Sequence, residues 1–186
     1  LEGLPAPADL PTPLLANTAA AIAALGRLRA GLPAQRTALC VALEALHVPG
    51  RFQRLERRVP WFVDVAHNRE SALMLAERLR AGAPADGVTH AVFGIMERKD
   101  AGGVVAALHE AVDTWHLITL EDAGTRLPAD LAALVRAAGG EVGARGTAAE
   151  LMEYIDHVAG PHDRVIAFGS FRVAEDVLRA HAGLLP

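Results

Sequence analysis

From residue 51 to residue 182 the chain alternates short apolar runs with longer segments of helical spacing, and few folds accept that alternation. Residues 60–65 carry the continuous run Trp61-Phe62-Val63, the pattern of a strand in a sheet covered on both faces. Residues 51–58 alternate polar and apolar side chains, which suits a strand at a sheet edge. Further strands are predicted over 88–95, 114–120, 141–144 and 164–168, with helices over 70–81, 102–111, 128–138, 147–158 and 171–182. Local signals mark several ends: Pro128 at a first helical turn, Gly139-Gly140 as a stop, and Thr147 with Glu150 as a capping box. Strands alternating with such helices predict an α/β fold, a mostly parallel, doubly wound, Rossmann-like sheet with helices on both faces.

The preceding segment has another character. Residues 14–32 set Leu15, Ile22, Leu25 and Leu28 on an alanine-rich background, a helix stopped by Gly31 and Pro33. A second helix is predicted over 34–46, with Leu39, Leu43 and Leu46 on one face, and Pro49-Gly50 ends it. This short helical segment reads as the tail of a preceding domain, so the expected division is 1–48 and 49–186. The start at Leu1 and the prolines at 5, 11 and 13 read as a connector, and the chain is expected to be a piece of a longer protein.

Composition narrows the function. Aromatic residues make up 4% of the chain, so the core is expected to be aliphatic. A formal charge of −4 and the lack of a Lys/Arg cluster exclude an electrostatic footprint for nucleic acid or an anionic membrane. No run of about 18 apolar residues could span a bilayer, since the alanine-rich stretch 16–24 is broken by Asn17 and Thr18. The single cysteine, Cys40, rules out an intramolecular disulfide and fits a reducing compartment.

The residues suited to chemistry follow the predicted strands. In an open α/β sheet the carboxyl ends of the strands face a crevice beside helix N-termini, where ligands bind. The run over 60–65 ends in Asp64-Val65-Ala66-His67-Asn68. Asp64 could accept hydrogen bonds from ribose hydroxyls or simply cap the next helix. His67 could stack on or hydrogen-bond a nucleotide, while Asn68 suits an N-cap. Upstream, Pro49-Gly50-Arg51-Phe52 supplies an always-charged forked donor for phosphate, although surface arginines are common. Lys99-Asp100 follows another strand: Lys99 could neutralise a phosphate or carboxylate and Asp100 could cap a helix. Ser170, in Gly169-Ser170-Phe171, could bind a substrate or cap the last helix. Asn17 reads as an N-cap of the first helix. A hydrolytic triad is excluded by the lack of a G-x-S-x-G elbow, and His157, His162 and His181 lack zinc spacing.

Four of these stretches together, Pro49-Gly50-Arg51-Phe52, Asp64-Val65-Ala66-His67-Asn68, residues 94–100 (Gly-Ile-Met-Glu-Arg-Lys-Asp) and Gly169-Ser170-Phe171, resemble the C-terminal region of folylpolyglutamate synthase/dihydrofolate synthase, in the Mur ligase superfamily. The family's His-Asn-Pro is here His67-Asn68-Arg69. The resemblance implies an ATP-dependent ligase adding L-glutamate to dihydropteroate and to folates: ATP phosphorylates a substrate carboxylate, and the glutamate amine attacks the acyl phosphate. It implies ATP contacts for Asn17, Arg51, Asp64 and His67, and a glutamate crevice near Lys99 and Ser170. It places residues 1–48 at the end of the central ATP-binding domain, and the phosphate loop and Mg2+ ligands upstream, since no G-x-x-x-x-G-K-[ST] occurs here. No catalytic residue and no metal ligand are therefore assigned in this chain, which is expected to be inactive alone. A cytoplasmic, monomeric parent enzyme is expected. The alternatives are a peptidoglycan-branch Mur ligase, with the same C-terminal architecture, and a non-catalytic α/β module binding a nucleotide or amino acid.

Overall fold

The computed structural model describes residues 12–27, 36–46, 48–82 and 86–183. The predicted connector up to residue 11 and the helix stop at Gly31 and Pro33 lie outside them. The chain divides into two compact units, Leu1–Pro49 and Gly50–Pro186. The first contains α1 (Thr12–Arg27) and α2 (Arg36–Glu44). α1 begins earlier than the sequence pattern predicts, because Thr12-Pro13 places a proline in the first turn, where its missing N–H costs nothing.

The second unit runs β1 (Gln53–Leu55), β2 (Trp61–Val63), α3 (Arg69–Ala81), β3 (Thr89–Phe93), α4 (Ala101–Leu108), β4 (Thr114–Ile118), α5 (Pro128–Ala137), β5 (Glu141–Gly146), α6 (Ala148–Val158), β6 (Arg164–Phe168) and α7 (Phe171–His181). Its sheet has the order β1-β2-β6-β3-β4-β5. Only the edge strand β1 is antiparallel; every other neighbouring pair is parallel. The doubly wound fold is thus as the sequence predicts. β1 is shorter than the predicted 51–58: Gly50 and Phe52 have positive φ and turn the chain before pairing can begin, and the strand ends at Leu55.

Side-chain alternation divides the core. Ile166 and Phe168 face α3, α4 and α5, meeting Leu75, Leu79, Val104, Leu108 and Leu131. Val165 and Ala167 face α6 and α7, meeting Leu151, Ile155, Val173 and Val177. The core is not simply aliphatic. The scarce aromatics are concentrated in it: Phe93 stacks on Phe168 at 5.0 Å, and Trp115 meets both edge-on. Caps close the helices. Asn68 and Ser71 form a capping box on α3, Asp100 accepts from the Gly103 N–H, and Thr147 with Glu150 caps α6.

A polar chain crosses the lower part of the sheet. β5 bulges opposite His116, so that Gly143 and Ala144 together oppose one residue of β4. The Ala144 N–H, left out of the ladder, donates to His116 Nδ1 at 3.1 Å. His116 Nε2 lies 3.1 Å from His90 Nδ1, and His90 Nε2 lies 3.2 Å from Asp163 Oδ2. Because Nδ1 of His116 accepts, a neutral His116 carries its proton on Nε2 and donates to His90, which in turn donates to Asp163. Burial, followed by the neighbouring His90, pushes His116 down to about 4. Burial pushes Asp163 up, but the Val88 and Gly160 amides and His90 outweigh it and hold the carboxyl below its ordinary value.

Candidate functional site

The topology opens a crevice. α3 leaves β2 toward one face of the sheet, α7 leaves β6 toward the other, and α4 leaves β3 toward the first face again. The loops after these three adjacent strands therefore diverge, which is the condition for a binding cleft at the strands' carboxyl ends. The loops touch through backbone. Gly94 N–H donates to the Phe168 carbonyl at 3.3 Å. A Cβ on Gly169, whose φ is +114°, would lie 2.3 Å from the Gly94 oxygen, so glycine is required for this approach.

Asp64 stands at the end of β2, where its N–H still donates to Ala167. Its Oδ2 accepts from the Phe52 N–H at 2.9 Å and its Oδ1 from the Ala66 N–H at 2.8 Å. Burial pushes its carboxyl up, opposed by those two amides and by Arg51 and Arg78. Of the two sequence readings, it does not cap α3; Asn68 does. The carboxylate instead ties the 50–53 turn to the end of β2. Phe52 needs that tie, since it holds φ at 51°, a conformation that L-residues rarely adopt. Its ring is clamped between Phe62, stacked at 4.5 Å, and the Arg78 guanidinium at 4.1 Å. The Gly50 N–H closes the turn onto Gln53 Oε1 at 3.0 Å.

This turn presents Arg51 to solvent with its guanidinium 5.9 Å from the ring centre of Phe171. His67 approaches the same ring from the β2 side, at 6.3 Å. His67 Nδ1 lies 2.7 Å from the Val65 carbonyl, so that nitrogen carries the proton and a neutral ring keeps Nε2 as an acceptor. The structure thus brings together Arg51, Asp64 and His67 at one end of the crevice. Ser170 adjoins them but is buried, and its hydroxyl accepts from the Val173 N–H at 3.1 Å as the N-cap of α7. Lys99 sits half-buried in the loop after β3, its own N–H donating to Met96. Asn17 lies in the other unit. It is an exposed residue inside α1, not the N-cap that the sequence suggests, because the helix already begins at Thr12. Among the described residues there is no group of three or more His, Cys, Asp or Glu that could hold a metal ion.

Phe171 is the residue that sequence reasoning overlooked. Gly169-Ser170-Phe171 points to the site through its first two residues, but nothing in the motif shows that the phenylalanine stays 66% exposed between an arginine and a histidine.

Fold and site define a doubly wound α/β domain with a crevice at the carboxyl ends of β2, β6 and β3. Residues 50–171 match the family model for the Mur ligase, glutamate ligase domain, and the chain belongs to that family. Curated relatives include the dihydrofolate synthase/folylpolyglutamate synthases of Escherichia coli, 37% identical over 121 residues, and of Buchnera aphidicola from Schizaphis graminum, 35% over 107 residues. These alignments take in 65% and 58% of this chain but only 27% and 25% of the relatives. Among solved structures, Escherichia coli FolC in complex with DHPP and ADP superposes with a TM-score of 0.83 at 30% identity, over 98% of this chain and 42% of that one. The bifunctional folylpolyglutamate synthase/dihydrofolate synthase of Yersinia pestis, complexed with AMPPNP and Mn, gives 0.79 at 32%, over 97% and 41%. The chain therefore spans about a quarter of the curated relatives' length and about two fifths of the solved ones.

Proposed function

We propose that this chain is the C-terminal part of an ATP-dependent ligase that joins L-glutamate to dihydropteroate and to folates, and that Gly50–Pro186 supplies one half of its ATP site. The convergence of Arg51 and His67 on the crevice above Asp64, within a glutamate ligase domain, carries this reading. The relatives named above support the folate branch over the peptidoglycan branch. Related structures hold AMPPNP and Mn, and in one case L-glutamate as well, which supports ATP and a divalent ion as reactants. Residues 1–48 would then be the end of the central domain, with Asn17 directed at the nucleotide. The phosphate loop and metal ligands would belong to sequence outside this chain, and the parent enzyme would be a cytoplasmic monomer.

The chain's own groups would act by positioning and charge neutralisation. Arg51 offers two parallel N–H donors to phosphate oxygens and stays charged as negative charge builds on the transferring group. His67 offers Nε2 as an acceptor for a ribose hydroxyl or a base amine. Asp64 holds the turn that carries Arg51, and Lys99 offers a positive charge for a phosphate or the glutamate carboxylate. Ser170, with one lone pair of its oxygen committed to the cap, retains its hydroxyl proton as a donor for glutamate. The isolated chain is expected to bind Mg-ATP weakly and to release no ADP in the presence of glutamate.

An Mg-ATP titration followed by amide NMR tests this. Shifts concentrated at 50–52, 64–68 and 169–172, abolished by Arg51→Ala, are expected. Saturable binding mapped to the opposite edge of the sheet would overturn the site, and glutamate-dependent ADP release would overturn the inactivity.

A further inference from the structure

We propose that Phe171 is a positioning residue: its exposed ring holds the Arg51 guanidinium and the His67 imidazole in register at the mouth of the crevice. The proposal rests on the nucleotide reading above. At 66% it is the most exposed of the large apolar side chains found at the surface of the described residues. A phenylalanine left in solvent at the first position of a helix contributes little to the core, and this ring lies beside two polar side chains, Arg51 and His67.

Each of the three side chains is braced independently. The backbone before Phe171 is fixed by Gly169 at φ +114° against Gly94, and by the buried Ser170 cap. The residue after it, Arg172, is tied to Asp122, Glu175 and Asp176 at 3.2 to 3.4 Å. Arg51 stands on a turn held by Asp64 and by the clamped Phe52 ring. His67 is held by the Val65 carbonyl and by its own N–H to Ser71 Oγ at 3.2 Å. Three elements distant in sequence thus aim at one point, and the aromatic ring is the shared surface there. A cation–π contact restrains a long flexible side chain without consuming the donors that a phosphate needs. An acidic partner would restrain Arg51 equally well but would compete with phosphate for its N–H groups.

The test begins with the nucleotide-free chain. Side-chain NMR of Arg51 Nε–H and His67 Cε1–H should show ring-current shifts and restricted Arg51 motion in the parent. Both should be lost in Phe171→Leu and restored in Phe171→Tyr, with Val158→Ala, an exposed apolar change at the far end of α6, as the control. The same samples are then titrated with Mg-ATP. The Kd should rise about two- to fivefold in Phe171→Leu, the size of an exposed cation–π contact, and return toward the parent in Phe171→Tyr. Identical Arg51 and His67 signals in parent and Phe171→Leu would overturn the proposal, as would altered signals with an unchanged Kd. Loss of the nucleotide-free signals in a chain that binds no Mg-ATP would uphold the positioning role and count against the nucleotide reading instead.

Discussion

His116 offers the sharpest check on the energetics, because burial and a neighbouring histidine hold it neutral while the bulge fixes its tautomer. Adding a proton to His116 in the folded chain requires its Nδ1, which is the acceptor for the Ala144 N–H. Burial, followed by the neighbouring His90, opposes protonation as well, and together they push His116 from an ordinary 6.5 down to about 4. The unfolded chain binds this proton as pH falls through about 6.5, while the folded chain does not until about 4. The stabilisation is thus complete above the upper value and lost progressively as pH falls toward the lower one. At about 1.4 kcal/mol per pH unit across that window, the full loss is about 3 kcal/mol, and most of it falls between pH 7.5 and 4.5. Glutamine is the informative replacement, since its oxygen can accept from Ala144 and its amide can donate to His90, but it does not titrate. Urea unfolding of the parent and His116→Gln should be followed by tryptophan fluorescence over that pH range. Both tryptophans, Trp61 and Trp115, are fully buried in Gly50–Pro186, so the signal reports this unit alone. The parent's midpoint should fall by about 1 M urea more than the variant's, taking a slope of about 2–3 kcal/mol per molar. Carboxylates titrate in both proteins and cancel in the difference. Parallel midpoint curves would refute the assignment of the acid sensitivity to His116.

Two further substitutions probe the crevice. Asp64→Asn leaves one side-chain oxygen for two backbone donors, so either Phe52 or Ala66 loses its acceptor. A loss of about 1–3 kcal/mol is expected, read by thermal unfolding, together with weaker Mg-ATP binding through the loosened Arg51 turn; unchanged stability would show the carboxylate to be free for ligand. Gly169→Ala sets a Cβ 2.3 Å from the Gly94 carbonyl at a φ of +114°, and should cost about 2–4 kcal/mol or prevent folding. An alanine variant as stable as the parent would mean that the β3 and β6 loops are not in backbone contact.

The elements of the second unit were legible because their signals are local. Helical spacing, the Thr147–Glu150 box, the Asn68 and Asp100 caps and the Pro128 start are all decided within four residues. The long-range features were not legible. No local signal says that β6, the last strand, inserts between β2 and β3, yet that insertion brings Gly169-Ser170-Phe171 beside Asp64 and His67. The bulge at Gly143-Ala144 is equally silent, since it depends on a histidine from the neighbouring strand filling the gap. Asn17 shows the opposite failure: an asparagine before an alanine run carries a local capping signal, but Thr12-Pro13 five residues earlier already starts the helix.

The site follows the same division between what is local and what is assembled. Arg51, Asp64 and His67 stand out as candidates in the sequence because their chemistry is unusual at the ends of strands. What brings them together is Phe52, whose part no sequence pattern shows. A phenylalanine at φ 51° is held only because Asp64 takes its N–H while Phe62 and Arg78 enclose its ring. That arrangement turns the chain so that Arg51, its neighbour, points at Phe171 rather than along β1. Asp64 therefore acts on any bound phosphate through the backbone turn that carries Arg51. Removing the carboxylate and removing the guanidinium should then produce partly overlapping losses, and a double variant Asp64→Asn/Arg51→Ala should bind Mg-ATP no more weakly than Arg51→Ala alone if the backbone route carries the whole effect.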